Sequence, residues 1–294
     1  MTGGHTMLLA NFQHGSTSRL GVVVGDRVND LAASAPDLPT EPLAFLAAGR
    51  AALDAAQNAT DRSPAWIPLT DVRLLAPVPR PGKFVAMALN YRDHLEETGM
   101  EAPTFPTFFT KQSTCVIGPG DAIEVPRASE LVDYEGELAV VIGQRCRHVP
   151  AADALSVVAG YTIVNDVTVR DWQMKAPTMM IGKSFDTHGP MGPWIVTKDD
   201  LPDPQALGIR TTVNGELLQD GNTKEMIFDI ATQIETLSTA MTLEPGDVIS
   251  TGTPAGVGIA RRPMVLLRPG DVVRIEIDGI GALENPVVAE PVAS

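Results

Sequence analysis

The sequence predicts a mixed, strand-rich α+β protein with a small N-terminal α+β domain, and three observations lead to that class. Pro-Gly-Asp occurs three times, at Pro119, Pro245 and Pro269, each copy followed by an alternating apolar run such as Asp271-Val-Val-Arg-Ile-Glu-Ile277. Proline and glycine set a tight turn, and period-two alternation marks a half-buried strand. One clear helix is predicted, Glu225 to Met241, where Ile227, Ile230, Ala231, Ile234, Leu237 and Met241 trace a stripe that Pro245-Gly246 stops. Strands and helices do not alternate in a βαβ rhythm, which favours a mixed or antiparallel barrel-like sheet over a doubly wound one.

From Met7 to Val28, apolar and polar residues alternate around Gly15-Ser-Thr-Ser and Gly25-Asp26, the pattern of short hairpins. Pro42 to Asn58 is rich in alanine and leucine, with Leu43, Leu46 and Leu53 near helical spacing. The proline-punctuated stretch Pro64 to Pro81 then marks a boundary, giving a small domain over 1–78 and a larger one over 79–294. With 294 residues, 44% hydrophobic and 20% charged, the chain can bury a full core. Its net charge of −14, from 22 basic and 36 acidic residues, argues against nucleic acid or an anionic membrane as partner and leaves small molecules. No apolar run reaches bilayer length, and Met1-Thr-Gly-Gly-His-Thr-Met-Leu8 has neither the basic start nor the apolar core of a signal peptide, so a cytoplasmic protein is expected. Cys115 and Cys146 have no Cys-x-x-Cys neighbour and read as buried thiols.

Asp133, Glu135 and Glu137 stand at every second position of Leu131 to Ile142, so on a strand their carboxylates share one face. Like charges at the edge of the apolar block Leu138 to Ile142 are costly unless a cation neutralises them, and a hard divalent metal is the simplest remedy. Residues two apart on a strand are roughly 6.6 Å apart, a gap that two glutamates can close around one ion; a solvated acidic edge is the alternative. Asp166, Arg170 and Gln173 follow at spacings of four and three, placing a carboxylate, a cation and an amide on one face of a helical turn, or forming a simple surface pair. In Asn90-Tyr-Arg-Asp-His-Leu-Glu-Glu-Thr-Gly99, Asn90 can cap a short helix, Gly99 can end it, and His94 faces Glu97. A carboxylate beside an imidazole fixes its tautomer and raises its basicity, as a general base requires, although such pairs are also common surface contacts. Lys183 lies in an apolar, glycine-bearing loop where it could hold developing negative charge, and Ser250-Thr-Gly-Thr-Pro-Ala-Gly-Val-Gly258 is a loop whose backbone could approach an anion. The chain lacks a Gly-x-Ser-x-Gly elbow and a His-Glu-x-x-His helix, which leaves a metal with an imidazole base.

Taken in order, Asn90-Tyr-Arg-Asp-His-Leu-Glu-Glu97, Asp133-Tyr-Glu-Gly-Glu-Leu-Ala139, Asn165-Asp-Val-Thr-Val-Arg-Asp-Trp-Gln173, Gly182-Lys-Ser-Phe-Asp186 and Thr251-Gly-Thr-Pro-Ala-Gly-Val-Gly258 resemble the fumarylacetoacetate hydrolase family. The resemblance runs from about Pro81 to Pro286. It implies a C-terminal β-roll catalytic domain, a homodimer, and one Mg²⁺ or Mn²⁺ per subunit held by Glu135, Glu137 and Asp166. It likewise implies a water-activating dyad in His94 and Glu97, oxyanion-stabilising positions in Arg170, Gln173 and Lys183, and a substrate-carboxylate contact in Thr253, with Asn90, Tyr91 and Gly252 lining the same site. One departure matters: the founding hydrolase carries a fourth carboxylate ligand shortly before the catalytic histidine, and Phe84-Val-Ala-Met-Ala-Leu89 has none. That places the chain nearer the acylpyruvase, sugar-acid and 2-hydroxyhepta-2,4-diene-1,7-dioate isomerase branch.

The expected activity is metal-dependent hydrolysis of a carbon–carbon bond in a small 1,3-diketo acid, such as an acylpyruvate, fumarylpyruvate or a diketo sugar acid. Lewis acidity stabilises the departing enolate while His94, oriented by Glu97, activates water. The same chemistry serves isomerases, oxaloacetate-type decarboxylases and sugar-acid dehydratases, and a catalytically silent metal-binding module is the alternative from another class.

Overall fold

The computed structural model describes residues 6–292. Its main sheet has twelve strands, and the run that matters for function is, in spatial order, Gly189–Thr197, Val158–Asn165, Gly136–Ile142, Val248–Ser250, Phe84–Ala88 and Thr107–Lys111. Neighbours along it are antiparallel except Val248–Ser250 and Phe84–Ala88, which run parallel. Every residue of Gly136–Ile142 and of Val158–Asn165 is buried, so these two strands are covered on both faces, as their continuous apolar character demands. A second sheet, Glu216–Asn222, Gly208–Val213, Val272–Ile277, Gly281–Ala289 and Ile123–Val125, packs against the first. The space between them is filled by the largest core cluster, which includes Leu138, Ile163, Ile209 and Ile275.

All three Pro-Gly-Asp copies are turns that feed strands, and they share one device. The glycines Gly120, Gly246 and Gly270 take φ of 77°, 84° and 101°, a left-handed conformation that costs glycine least. Each aspartate then turns its carboxylate back to accept the N–H three residues earlier: Asp121 from Gly118, Asp247 from Glu244, and Asp271 from Arg268, at 2.8, 2.8 and 2.7 Å.

The N-terminal hairpins form as predicted, with Leu8–His14, Thr17–Val24 and Arg27–Asp30 turning at Gly15 and Gly25. Leu8–His14 also pairs with Gly189–Thr197, Leu9 opposite Ile195, so hydrogen bonding of the main sheet continues across the boundary expected at residue 78. The alanine-rich stretch is two helices, Pro42–Ala47 and Gly49–Arg62, because Gly49 adopts φ 66° between them.

The long helix is shorter than its apolar stripe suggests. It covers Ile230–Ala240, with Asp229 as N-cap accepting the Thr232 N–H at 2.7 Å. The preceding residues are drawn elsewhere: Thr223–Glu225 is a 3₁₀ turn capped by Asn222, and Met226 pairs with Tyr91 in an isolated bridge. Ile230, Ile234 and Leu237 remain the buried face, while Met241 lies outside the helix and is partly exposed. Cys115 is buried and Cys146 only partly so, both as free thiols. No helix among the described residues is long and apolar enough to cross a membrane, and the leader reading falls largely on residues 1–5, outside the described range.

Candidate metal and acid–base site

The expected continuous strand from Leu131 breaks at Tyr134–Glu135, leaving Val132–Asp133 as a short piece paired with Thr168–Val169 before Gly136–Ile142 begins. The break separates the three acids. Glu135 and Glu137 come together with Asp166, and one carboxylate oxygen from each lies within 4.8 Å of the others, all three residues buried. Asp133 belongs to another arrangement: it accepts N–H groups of Gly258 and Ile259 at 2.8 and 2.9 Å and is paired with Arg170 at 2.7 Å. The three predicted metal ligands are therefore brought together, and the carboxylate two positions upstream is spent on the scaffold.

Asp166 lies in the turn after Val158–Asn165, and only Arg170–Gln173 is helical, so the predicted single helical face is not formed. Arg170 nevertheless reaches the site through its other contact, Glu135 Oε1 at 2.7 Å, and donates to Gln173 Oε1 at 3.2 Å. Gln173 Nε2 is turned to the Met179 sulfur at 3.7 Å. Lys183, 2% exposed, donates to Glu135 Oε2 at 2.6 Å and to Asp166 Oδ2 at 2.7 Å. A second cation was not legible in the sequence: Lys111, equally buried, donates to Asp166 Oδ1 at 2.6 Å and to the Lys183 carbonyl.

These contacts set the charge states. Burial opposes ionisation of Glu135, but the charges of Lys183 and Arg170 outweigh it and bring the carboxyl down to about 2. Burial also works against the Lys183 ammonium, and Asp166 and Glu135 overcome it, so the lysine stays charged. Glu137 has no such cation against it. Burial, then the charges of Asp166 and Glu135, push its carboxyl well above the usual range, although Ser250 and the Gly252 N–H donate to its Oε2 at 2.6 and 3.0 Å. Oxygen-only donors, short separations and a buried Glu137 carboxyl with no cation paired to it fit a hard divalent cation such as Mg²⁺ or Mn²⁺.

The glycine loop is fastened along the acid-bearing segment. Beyond the last strand pair, Ala139 opposite Ser250, the same antiparallel alignment is continued by side chains and single N–H groups. Thr251 bonds Leu138 O, Gly252 N–H bonds Glu137, Thr253 Oγ1 bonds Gly136 O, Tyr134 Oη bonds Gly256 O, and Gly258 N–H bonds Asp133. The loop does bind anions at its backbone, and they are the protein's own carboxylates. Gly252, at φ 96°, could not carry a side chain, since a Cβ would meet that of Asn90 at 2.8 Å. Gln219 closes the fastening by accepting the Gly136 N–H and donating to Thr253 Oγ1 and Pro254 O.

His94 and Glu97 sit on the helix Arg92–Thr98, which Gly99 ends in the left-handed conformation as predicted. Its N-cap is Tyr91, without a side-chain bond. Asn90 does not cap: its amide donates to Thr251 O and Phe228 O and accepts the Phe228 N–H, at 2.7, 3.1 and 2.9 Å, tying the helix start to the glycine loop. Tyr91 is fully buried, with the Glu137 charge among its influences. His94 Nδ1 lies 3.2 Å from Glu97 Oε2, and Glu97 Oε1 accepts the Gly256 N–H at 2.9 Å.

The profile of the fumarylacetoacetate hydrolase C-terminal region matches residues 83–288. The chain belongs to the fumarylacetoacetate hydrolase family. Among its relatives in that family, the mitochondrial oxaloacetate tautomerase of Xenopus laevis is 44% identical over 289 residues, covering 96% of this chain and 91% of that protein. The crystal structure of 5-carboxymethyl-2-hydroxymuconate delta-isomerase from Mycobacterium smegmatis is 38% identical, with a TM-score of 0.78 and coverage of 97% of this chain and 100% of that one. Maleylpyruvate hydrolase from Sphingobium, solved with manganese(II) and pyruvate, is 36% identical, with a TM-score of 0.80 and the same coverage. The fold is thus that of the fumarylacetoacetate hydrolase family, its β-rich catalytic domain included, and the similar proteins include tautomerases, isomerases and hydrolases.

Proposed function

We propose that the protein interconverts the keto and enol forms of a small 2-oxo acid of the oxaloacetate class, by proton transfer at the carbon next to the keto group. The observation that carries this reading is the joining of two sites by one loop: three buried carboxylates suited to a divalent ion, and an imidazole–carboxylate pair, both held by Gly252–Gly258. When bound by Glu135, Glu137 and Asp166, such an ion supplies the Lewis acidity that makes the adjacent carbon acidic.

The residues themselves do the rest. Glu97 engages His94 Nδ1, which leaves Nε2 to take a proton from carbon and return it to oxygen, or the reverse. Lys183 and Gln173 stand as charge and hydrogen-bond donors for the enolate oxygen, and Lys183 is already positioned by Glu135 and Asp166. The similarity to an oxaloacetate tautomerase over nearly the whole chain supports this assignment. Hydrolysis of a 1,3-diketo acid is the second reading, supported by the maleylpyruvate hydrolase likeness. There His94 takes the proton from water, hydroxide adds to the distal carbonyl, the carbon–carbon bond breaks, and the enolate fragment is protonated.

Enol-enriched oxaloacetate separates these outcomes. Protein supplied with Mg²⁺ or Mn²⁺ is expected to speed loss of the enol absorbance with no change of substrate mass, and His94→Ala is expected to lose that acceleration. Release of two carboxylic fragments from acylpyruvates but no effect on oxaloacetate would favour hydrolysis, and carbon dioxide would favour decarboxylation. Metal binding with no turnover of any 2-oxo acid would leave only the silent module.

A further inference from the structure

Tyr134 lies between Asp133 and Glu135, fully buried, in the segment that carries the acids, yet its hydroxyl serves none of them. A buried phenol needs a partner for its O–H, and this one reaches across to donate to the carbonyl of Gly256 at 2.9 Å. Arg261 Nε donates to the same carbonyl at 3.3 Å, and its Nη2 donates to Leu218 O. Gly256 itself has no freedom to retreat. It takes φ 105°, and a Cβ built on it would lie 2.1 Å from the Leu218 carbonyl, so the residue is pressed flat against the strand Glu216–Asn222.

The N–H of this clamped glycine meets Glu97 Oε1 at 2.9 Å, and the other oxygen of Glu97 faces His94 Nδ1 at 3.2 Å. A continuous series of contacts therefore runs from the acid-bearing segment, through Tyr134, Gly256 and Glu97, to the imidazole. The helix holding His94 and Glu97 is short, and its own hydrogen bonds do not fix where the Glu97 carboxylate points.

We propose that Tyr134 is a positioning residue for the His94–Glu97 pair, acting through Gly256, so that the segment supplying Glu135 and Glu137 also sets the orientation of the imidazole. The inference rests on the reading of His94 as the acid–base group, and goes beyond it by naming what aligns it. A phenylalanine would fill the same space without the donor.

The test compares Mg²⁺-loaded wild type, Tyr134→Phe, Glu97→Gln and the double variant by ¹⁵N NMR of the histidine rings, with His94 assigned by its replacement. In wild type the His94 ring is expected in one tautomer, protonated at Nδ1. Tyr134→Phe is expected to shift both ring nitrogens toward tautomer averaging, as Glu97→Gln does, and to add nothing in the Glu97→Gln background. On oxaloacetate, kcat is expected to fall about tenfold with KM unchanged, in line with the loss of a supporting contact. Unchanged His94 signals in a folded Tyr134→Phe protein that binds Mg²⁺ normally would overturn the proposal, as would a full additive loss in the double variant. Should Tyr134→Phe not fold, Arg261→Met removes the other donor to Gly256 O and is expected to move the same signals in the same direction; no movement there also overturns it. If wild type turns over no 2-oxo acid, the functional reading fails, while the ring signals still decide the positioning.

Discussion

The acid cluster and the imidazole pair are neighbours built to different specifications. The side chains of Glu135 and Asp166 are almost wholly enclosed and each meets at least one buried cation, whereas those of His94 and Glu97 retain 12% and 20% of their exposure. The first region is a floor of charges compensated in the interior, where removing one partner leaves another stranded. The second is an edge that one glycine N–H and a short helix hold in place. An ion site benefits from rigidity, and a proton-transfer group needs access to substrate and solvent. By this contrast, substitutions in the floor act on folding and metal affinity together, with turnover added at Lys183 because it also faces the substrate, and those at the edge act on turnover alone.

The largest effect is expected at Lys111, which that contrast assigns to the floor. Lys111→Met leaves Asp166 Oδ1 and the Lys183 carbonyl without their cation, and breaking a buried pair in this way costs about 3–5 kcal/mol. Denaturant unfolding in EDTA should show that loss, and saturating Mn²⁺ should recover part of it because the ion, no longer competing with the Lys111 cation at Asp166, binds the folded variant more tightly than wild type. An equal loss with and without metal would place Lys111 outside the charge balance of the site.

Next comes Lys183→Ala. Removing a donor to developing negative charge costs about 2.7–4 kcal/mol, so turnover should fall by at least about a hundredfold. Wild-type turnover in this variant would reduce Lys183 to a structural counter-ion.

Thr253 sharpens the comparison from the other side, with the smallest expected effect. Its hydroxyl already donates to Gly136 O and accepts from Gln219, and so is committed to fastening the loop. Thr253→Val should cost about 1 kcal/mol in stability with little change in KM. A large rise in KM with unchanged stability would show instead that the hydroxyl contacts substrate, as the family resemblance implies.

The parts legible in the sequence were those whose meaning is local. The Pro-Gly-Asp turns close within four residues, the left-handed Gly99 ends its own helix, and His94 meets Glu97 one turn away. Acids two apart were legible as a metal signature, but not the break at Tyr134–Glu135 that sends Asp133 to Arg170 and the Gly258 N–H. Asn90 reads as a cap because caps are local; its true partners at Phe228 and Thr251 are 138 and 161 residues away. Lys111, Ser250, Gln219 and Tyr134 carry no local signal for the same reason, their site contacts spanning 55, 113, 83 and 122 residues. Nothing in the chain neighbours of Lys111 or Gln219 distinguishes them from ordinary strand residues, and although Tyr134 and Ser250 lie in distinctive segments, nothing local to either names its distant partner.

The most direct test is a calorimetric titration of Mn²⁺ into wild type, Glu137→Gln and His94→Ala. One ion per chain is expected in wild type and in His94→Ala with similar affinity, whereas loss of a ligating carboxylate in Glu137→Gln should weaken binding by more than about a hundredfold, beyond what supporting contacts contribute. Equal binding by Glu137→Gln and wild type, or its loss in His94→Ala, would contradict a metal floor that is separate from its acid–base edge.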